Sequence, residues 1–159
     1  MYKRQTLFRK LSQQKLDVQL LLQLNLVVLH LVCGRGGEAR KAMIRIQATG
    51  LVFYNFPAFR IARLVNLLLQ AECGRFDFAE NEIKSIRRST AIGNSSVEKL
   101  VFRFVRLFPL PGSRRERGRL WERLYGAVQA VAADKYERPL LKYFDFTAVS
   151  YTHLRAHET

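Results

Sequence analysis

Two stretches forty positions apart, CGRGGEARKAMIRI from Cys33 and CGRFDFAENEIKSI from Cys73, share Cys-Gly-Arg at the start, Ala39 against Ala79 and Ile46 against Ile86. A repeat at a fixed period restricts the fold, because each copy is one supersecondary unit that cannot bury its apolar face alone. In each copy a helix reaches a Gly, the chain turns, and a second helix is entered through a small Ala. Gly is the usual residue just past a helix end, where the backbone turns left-handed. The unit is therefore a helical hairpin, and the class is all-α, with stacked antiparallel hairpins.

The rest of the chain agrees. Residues 16–33, LDVQLLLQLNLVVLHLVC, form the most apolar stretch. Asp17, Gln19, Gln23, Asn25 and His30 interrupt it, and its longest central apolar run is residues 26–29. A membrane span needs roughly 20 apolar residues, so no span is expected. At helical spacing Leu16, Leu20, Leu24, Val27 and Leu31 make one stripe, and Leu22, Leu26, Leu29 and Cys33 a second; a helix apolar on two sides predicts burial between neighbours. EARKAMIRIQ gives the next helix, with Ala39, Met43, Ile44 and Ile46 on its apolar face, and Gly50 with LVFYNF a connection. A third helix runs from Pro57, tolerated in a first turn, to a stop at Gly74. A fourth starts near Phe76, with Ala79, Ile83 and Ile86 on one face. Ser95 and Glu98 form a capping box that opens VEKLVFRFVRLF, which Pro109, Pro111 and Gly112 end. A basic helix follows over residues 114–133, then a last one, YERPLLKYFDF. No segment alternates as a strand would.

The Gly34-to-Ala39 and Gly74-to-Ala79 spacing resembles the tetratricopeptide repeat, in which a Gly closes the first helix and an Ala five positions later admits close packing. The aromatic that the family carries two positions after the Gly is met by Phe76 and not by Gly36. Other family positions fall on Leu26, Val27, Met43 and Ile46, and on Leu67, Ile83 and Ile86. The forty-residue offset departs from the usual period of about 34 and lies nearer the HEAT and armadillo lengths. The stretch from Phe56 to Arg88 is also similar to bacterial proteins with degenerate tetratricopeptide-like repeats. What the resemblance implies is an α-solenoid scaffold for protein contacts, with no catalytic residue.

The two ends read differently. VSYTHLRAHET at residues 149–159 and MYKRQ at residues 1–5 resemble translations of a transposase sequencing adapter, as found at the edges of metagenomic reads. The expectation is a helical-repeat domain over residues 6–148, a piece of a longer protein, with adapter-derived residues on either side. Setting those ends aside removes Lys3, Arg4 and the cancelling pair Arg155 and Glu158, so the net charge falls from +14 to +12. A basic balance of that size favours polyanions or acidic partners.

Little of the sequence suggests catalysis. Cys33 and Cys73 are too few for a four-ligand zinc site and too far apart for a disulfide framework, a usage that fits a reducing, cytoplasmic setting. His30 lies mid-helix and reads as a packed core residue; His153 and His157, at metal-binding spacing, belong to the tail. Gly34-Arg35-Gly36-Gly37 follows a helix and lacks the Lys-Ser or Lys-Thr of a phosphate loop. Glu80 and Glu82, two apart on a helix, do not face each other. No Ser lies in a nucleophile elbow. No cofactor, metal or catalytic residue is assigned.

One feature points to a ligand. SRRERGRLWERLYGAV sets Arg115, Arg119 and Arg123 in a line at four-residue spacing, with Arg114 and Arg117 alongside. Arginine forks suit phosphate and carboxylate, and Lys84, Arg87, Arg88, Arg103 and Arg106 add charge on nearby helices. The alternative is a solvated face, with Trp121 as a core anchor. The leading expectation is a non-catalytic helical-repeat scaffold that binds a protein partner. Its alternatives are a basic RNA- or DNA-binding array using Arg114, Arg115, Arg117, Arg119 and Arg123, and the regulatory part of a larger protein.

Overall fold

A computed structural model describes residues 15–54, 56–89 and 95–155, with the backbone alone at Leu51. The elements are α1 (Leu16–Val32), α2 (Gly36–Ala48), the one-turn α3 (Gly50–Phe53), α4 (Pro57–Glu72), α5 (Phe76–Ser89), α6 (Ser96–Val105), α7 (Arg114–Ala133), a 3₁₀ helix (Arg138–Lys142) and α8 (Phe146–Arg155). No strand occurs among the described residues. The chain divides into two compact units inside α4, between Arg63 and Leu64.

In the first unit α1 and α2 pack as a hairpin. Gly34 takes φ +68°, a conformation that L side chains rarely adopt. The N–H of Arg35 donates to the His30 carbonyl (2.8 Å) and that of Gly34 to the Leu31 carbonyl (2.9 Å). These two bonds are a Schellman turn, which satisfies carbonyls that the helix end would otherwise leave open. The buried side chains are Leu20, Leu24 and Val27 of α1 with Ala39, Ala42, Met43 and Ile46 of α2. Beyond α2 the expected connection winds into the single turn of α3, which buries Phe53. Gly50 matters there: a Cβ would stand 3.2 Å from the Phe59 ring, tighter than most real contacts.

The second stripe of α1 is not covered as the sequence pattern predicts. Leu22 is 46% and Leu29 58% exposed, and Cys33 is exposed as well. The reason is the number of neighbours: α2 and α3 pack on α1 and bury the stripe of Leu20, Leu24 and Val27. His30 is only half-buried, because it sits beside that stripe and not on it.

The second unit begins with the latter half of α4, where Leu64, Val65, Leu67, Leu68, Leu69 and Ala71 are all buried. Gly74 repeats the first turn at φ +71°, with Arg75 N–H on the Gln70 carbonyl (2.8 Å) and Gly74 N–H on the Ala71 carbonyl (3.0 Å). The helix that follows, α5, buries Ala79, Ile83 and Ile86, the counterparts of Ala39, Met43 and Ile46.

The capping box forms as its sequence predicts. Ser95 Oγ accepts the Glu98 N–H (3.2 Å) and Glu98 Oε2 accepts the Ser95 N–H (3.2 Å). It opens α6, whose buried face carries Val97, Leu100, Val101, Phe102, Phe104 and Val105; α7 and α8 pack on this helix. Asp134, just past the end of α7, ties that end to the start of α6, Oδ2 accepting the Ser96 hydroxyl (2.8 Å) while Oδ1 accepts the Tyr136 and Glu137 N–H groups. Those bonds, the one from Glu137 foremost, hold the Asp134 carboxyl below its usual range.

YERPLLKYFDF is not the α-helix that its composition predicts. Residues 138–142 form the 3₁₀ helix. Pro139 has no N–H for an i to i−4 bond, which favours a short tight turn there. The chain then restarts at Phe146, where Asp145 Oδ1 accepts the Thr147 and Ala148 N–H groups. The resulting α8 extends through Arg155 and buries Phe146, Ser150 and Leu154. Residues 1–5 and 156–159, His157 included, lie outside the described residues.

Candidate functional site: an arginine-rimmed cleft

The five arginines of α7 do not share one face. Four residues turn an α-helix by about 40° beyond a full revolution, so a line at that spacing winds round the axis. Its buried positions are Leu124, Ala127 and Val131. Arg114, Arg115 and Arg119 are exposed to solvent. Arg117 turns inward, its Nε donating to the Pro111 carbonyl at 2.6 Å, so it clamps the proline loop that precedes the helix. Arg123 stands apart from both groups, at the mouth of a cleft between α6 and α7.

That cleft has a volume of about 400 Å³ and is lined by Arg103, Arg106, Leu107, Leu120, Arg123 and Leu124. Each side supplies one set at i, i+3 and i+4: Arg103, Arg106 and Leu107 from RFVRL, and Leu120, Arg123 and Leu124 from LWERL. Residues so spaced are neighbours on a helical surface. The leucines lie inward, with Leu124 buried and Leu107 and Leu120 half-buried, while all three arginines are exposed. The result is an apolar floor under a cationic rim.

Arg106 is held in place by Glu80 of α5. Nε meets Oε1 at 2.8 Å and Nη2 meets Oε2 at 3.1 Å, the two-pronged geometry that arginine and carboxylate favour. This bonding lowers the Glu80 pKa and raises that of Arg106 from their ordinary values. Glu80 is thus kept as an anion with its oxygens committed to a guanidinium. Arg103 and Arg123 carry no carboxylate partner among the described residues.

The other basic residues have separate surroundings. The Arg87 guanidinium lies 5.6 Å from the centre of the Phe102 ring, and Arg88 Nε donates to the Lys84 carbonyl at 3.3 Å. Trp121, predicted as a core anchor, is half-buried and edges onto Tyr125 and Tyr151. Its bulk sits to one side of the line that Leu124 and Val131 bury.

The remaining residues singled out for chemistry are dispersed. Both cysteines are free and exposed, each as the residue before a turn glycine. His153 faces two oxygens, the Val149 carbonyl (2.9 Å) through Nδ1 and Glu72 Oε1 (3.1 Å) through Nε2, and the Glu72 carboxylate raises its pKa. Among the described residues no group of three or more His, Cys, Asp or Glu side chains is placed to hold a metal ion. No described helix is long and apolar enough to cross a membrane.

The cleft was legible in part. Arg123 stands out in the arginine line, whereas its partners across the cleft do not. The available signal was the pair of five-residue strings ending in Arg-Leu, RFVRL and LWERL, on two helices joined by a short proline-rich loop. No family model, curated protein or solved structure matches this chain.

Proposed function

We propose that this chain is a non-catalytic helical scaffold of the tetratricopeptide-like kind, which binds a protein partner in a cytoplasmic setting. The observation that carries the reading is the turn built twice: the same two hydrogen bonds at Gly34 and Gly74, followed by the same buried triplet in the next helix. Hairpins that recur in this way stack on one another in solenoids and present extended surfaces to partners. Fold alone does not assign a function, so the test must be biochemical. A photo-crosslinking residue at exposed Tyr54 or Tyr125 should give a discrete, saturable protein adduct, and the purified partner should bind with the same saturation. A turnover activity lost in His30→Ala, Glu80→Gln or Glu82→Gln would overturn the reading.

The second reading is an RNA- or DNA-binding array, favoured by exposed Arg114, Arg115 and Arg119. It requires binding that weakens steeply with salt, by a log-log slope of about 0.9 per duplex phosphate contacted. Affinity for duplex DNA that is flat with salt, or absent at low ionic strength, removes it.

A further inference from the structure

We infer that the cleft between α6 and α7 is a docking site for an acidic segment of a partner protein, one in which a large apolar side chain is flanked by Asp or Glu. The inference rests on the scaffold reading above and names the site and chemistry of the contact.

Charge complementarity selects the occupant. Three guanidinium groups stand around a mouth of about 400 Å³, and the Glu80 carboxylate is already committed to Arg106. Arg103 and Arg123 remain to meet carboxylates, which their forks bind through paired hydrogen bonds. The floor of Leu107, Leu120 and Leu124 has no hydrogen-bonding side chain, so it favours an apolar group and disfavours a polar one. The volume falls at the lower end of the roughly 300–1,000 Å³ of ligand pockets, which suits one or two side chains of an extended or helical segment. Nucleic acid fits the floor poorly, because the bases of single strands are held chiefly by stacking on aromatic side chains. The aromatic residues of α7, Trp121 and Tyr125, are not among the cleft's lining residues. A purely anionic polymer would satisfy the rim and leave the leucines bare.

The probe is a fluorescein-labelled twelve-residue peptide with Glu and Leu at helical spacing, titrated with the full chain and followed by anisotropy. Three relatives accompany it: one with Gln for Glu, one with Ser for Leu, and one with Lys for Glu. Polyglutamate and a duplex DNA complete the series. The Glu/Leu peptide should bind, and the Gln and Ser versions should each bind at least about tenfold more weakly, as expected when a charged or apolar anchor is lost from an interface. Arg103→Glu/Arg123→Glu should abolish binding of the Glu peptide and gain binding of the Lys peptide, while Arg40→Glu, at an exposed position of α2, leaves both unchanged. Both cleft arginines are exposed, so the double variant should melt like the parent protein. Leu120→Ser is a second probe, weakening the Glu/Leu peptide and sparing polyglutamate.

Failure of the Glu/Leu peptide to bind overturns the inference. So does binding that polyglutamate or duplex DNA matches, or that Arg40→Glu weakens as much as the cleft variants. If the peptide fails while the crosslinker still captures a purified, saturable partner, the cleft is wrong and the scaffold reading stands.

Discussion

The turn at Gly34 and the turn at Gly74 carry the same hydrogen bonds, yet the helices that lead into them are covered very differently. In α4 the run of Leu64, Val65, Leu67, Leu68 and Leu69 is buried throughout. In α1 the stripe of Leu20, Leu24 and Val27 is buried, and Leu22, Leu29 and Val32 are open to solvent. The comparison separates two kinds of cause. A Schellman turn needs a residue that tolerates positive φ and a few nearby backbone groups, so it forms wherever the local sequence supplies them. Burial needs neighbours, and it reaches one stripe of α1 but consecutive positions of α4.

The widest test of that contrast is in the helices themselves. Leu67→Ala should cost about 2–5 kcal/mol, the usual range for a large-to-small change in a core. Leu29→Ala, at a position 58% exposed, should cost under about 0.5 kcal/mol. Urea unfolding measures both; equal losses would mean that Leu29 is covered in solution and that the two copies are alike after all.

The turns should respond alike. Gly34→Ala and Gly74→Ala each place a side chain at positive φ, at a cost of roughly 1–2 kcal/mol. An added Cβ meets no atom within 4 Å at either site, so backbone strain is the whole effect. Thermal melts of the two variants should therefore fall by matching amounts, and a clear mismatch would show that one turn is also held by its surroundings.

A smaller effect separates the helices that carry a side-chain cap from those that do not. Ser95→Ala removes half of the capping box and should destabilise by about 1 kcal/mol. Ser113, before α7, makes no side-chain cap bond, and Ser113→Ala should be nearly silent in the same melt. The smallest effect is that of the Glu80–Arg106 pair, both partners more than 40% exposed. Exposed pairs contribute about 0–1 kcal/mol, less in salt. The folded Glu80 pKa is lowered, so its contribution is present above the ordinary glutamate value of about 4.3 and disappears as pH falls through the folded value. An acid titration of the parent and of Glu80→Gln should converge at low pH and separate slightly at neutral pH. A gap that widens on acidification would contradict the sign.

Much of the fold is legible in the sequence. The basic helix expected over residues 114–133, after the loop of Pro109, Pro111 and Gly112, is α7 with those bounds. The capping box at Ser95 and Glu98 is a pattern of two side chains three residues apart. The misses are of another kind. Pro139 turned an apparent helix into a 3₁₀ segment, a local override that its missing N–H explains. Arg117 reads as extra charge alongside the arginine line and in fact bonds a backbone carbonyl of the preceding loop. The cleft needs Arg103 of α6 and Arg106 just past its end to meet Arg123 of α7, a pairing that no spacing within either helix reports.

By itself the sequence determined the helix ends at Gly34, Gly74 and Ser95 and where the backbone turns left-handed, because those outcomes depend on hydrogen bonds and dihedral limits within a few residues. Only the tertiary structure decided which apolar stripe of α1 is covered, which way each arginine of α7 faces, and that Arg103, Arg106 and Arg123 ring a leucine floor. Those outcomes depend on which helices become neighbours, and side chains far apart in the chain acquire a common site only through that packing.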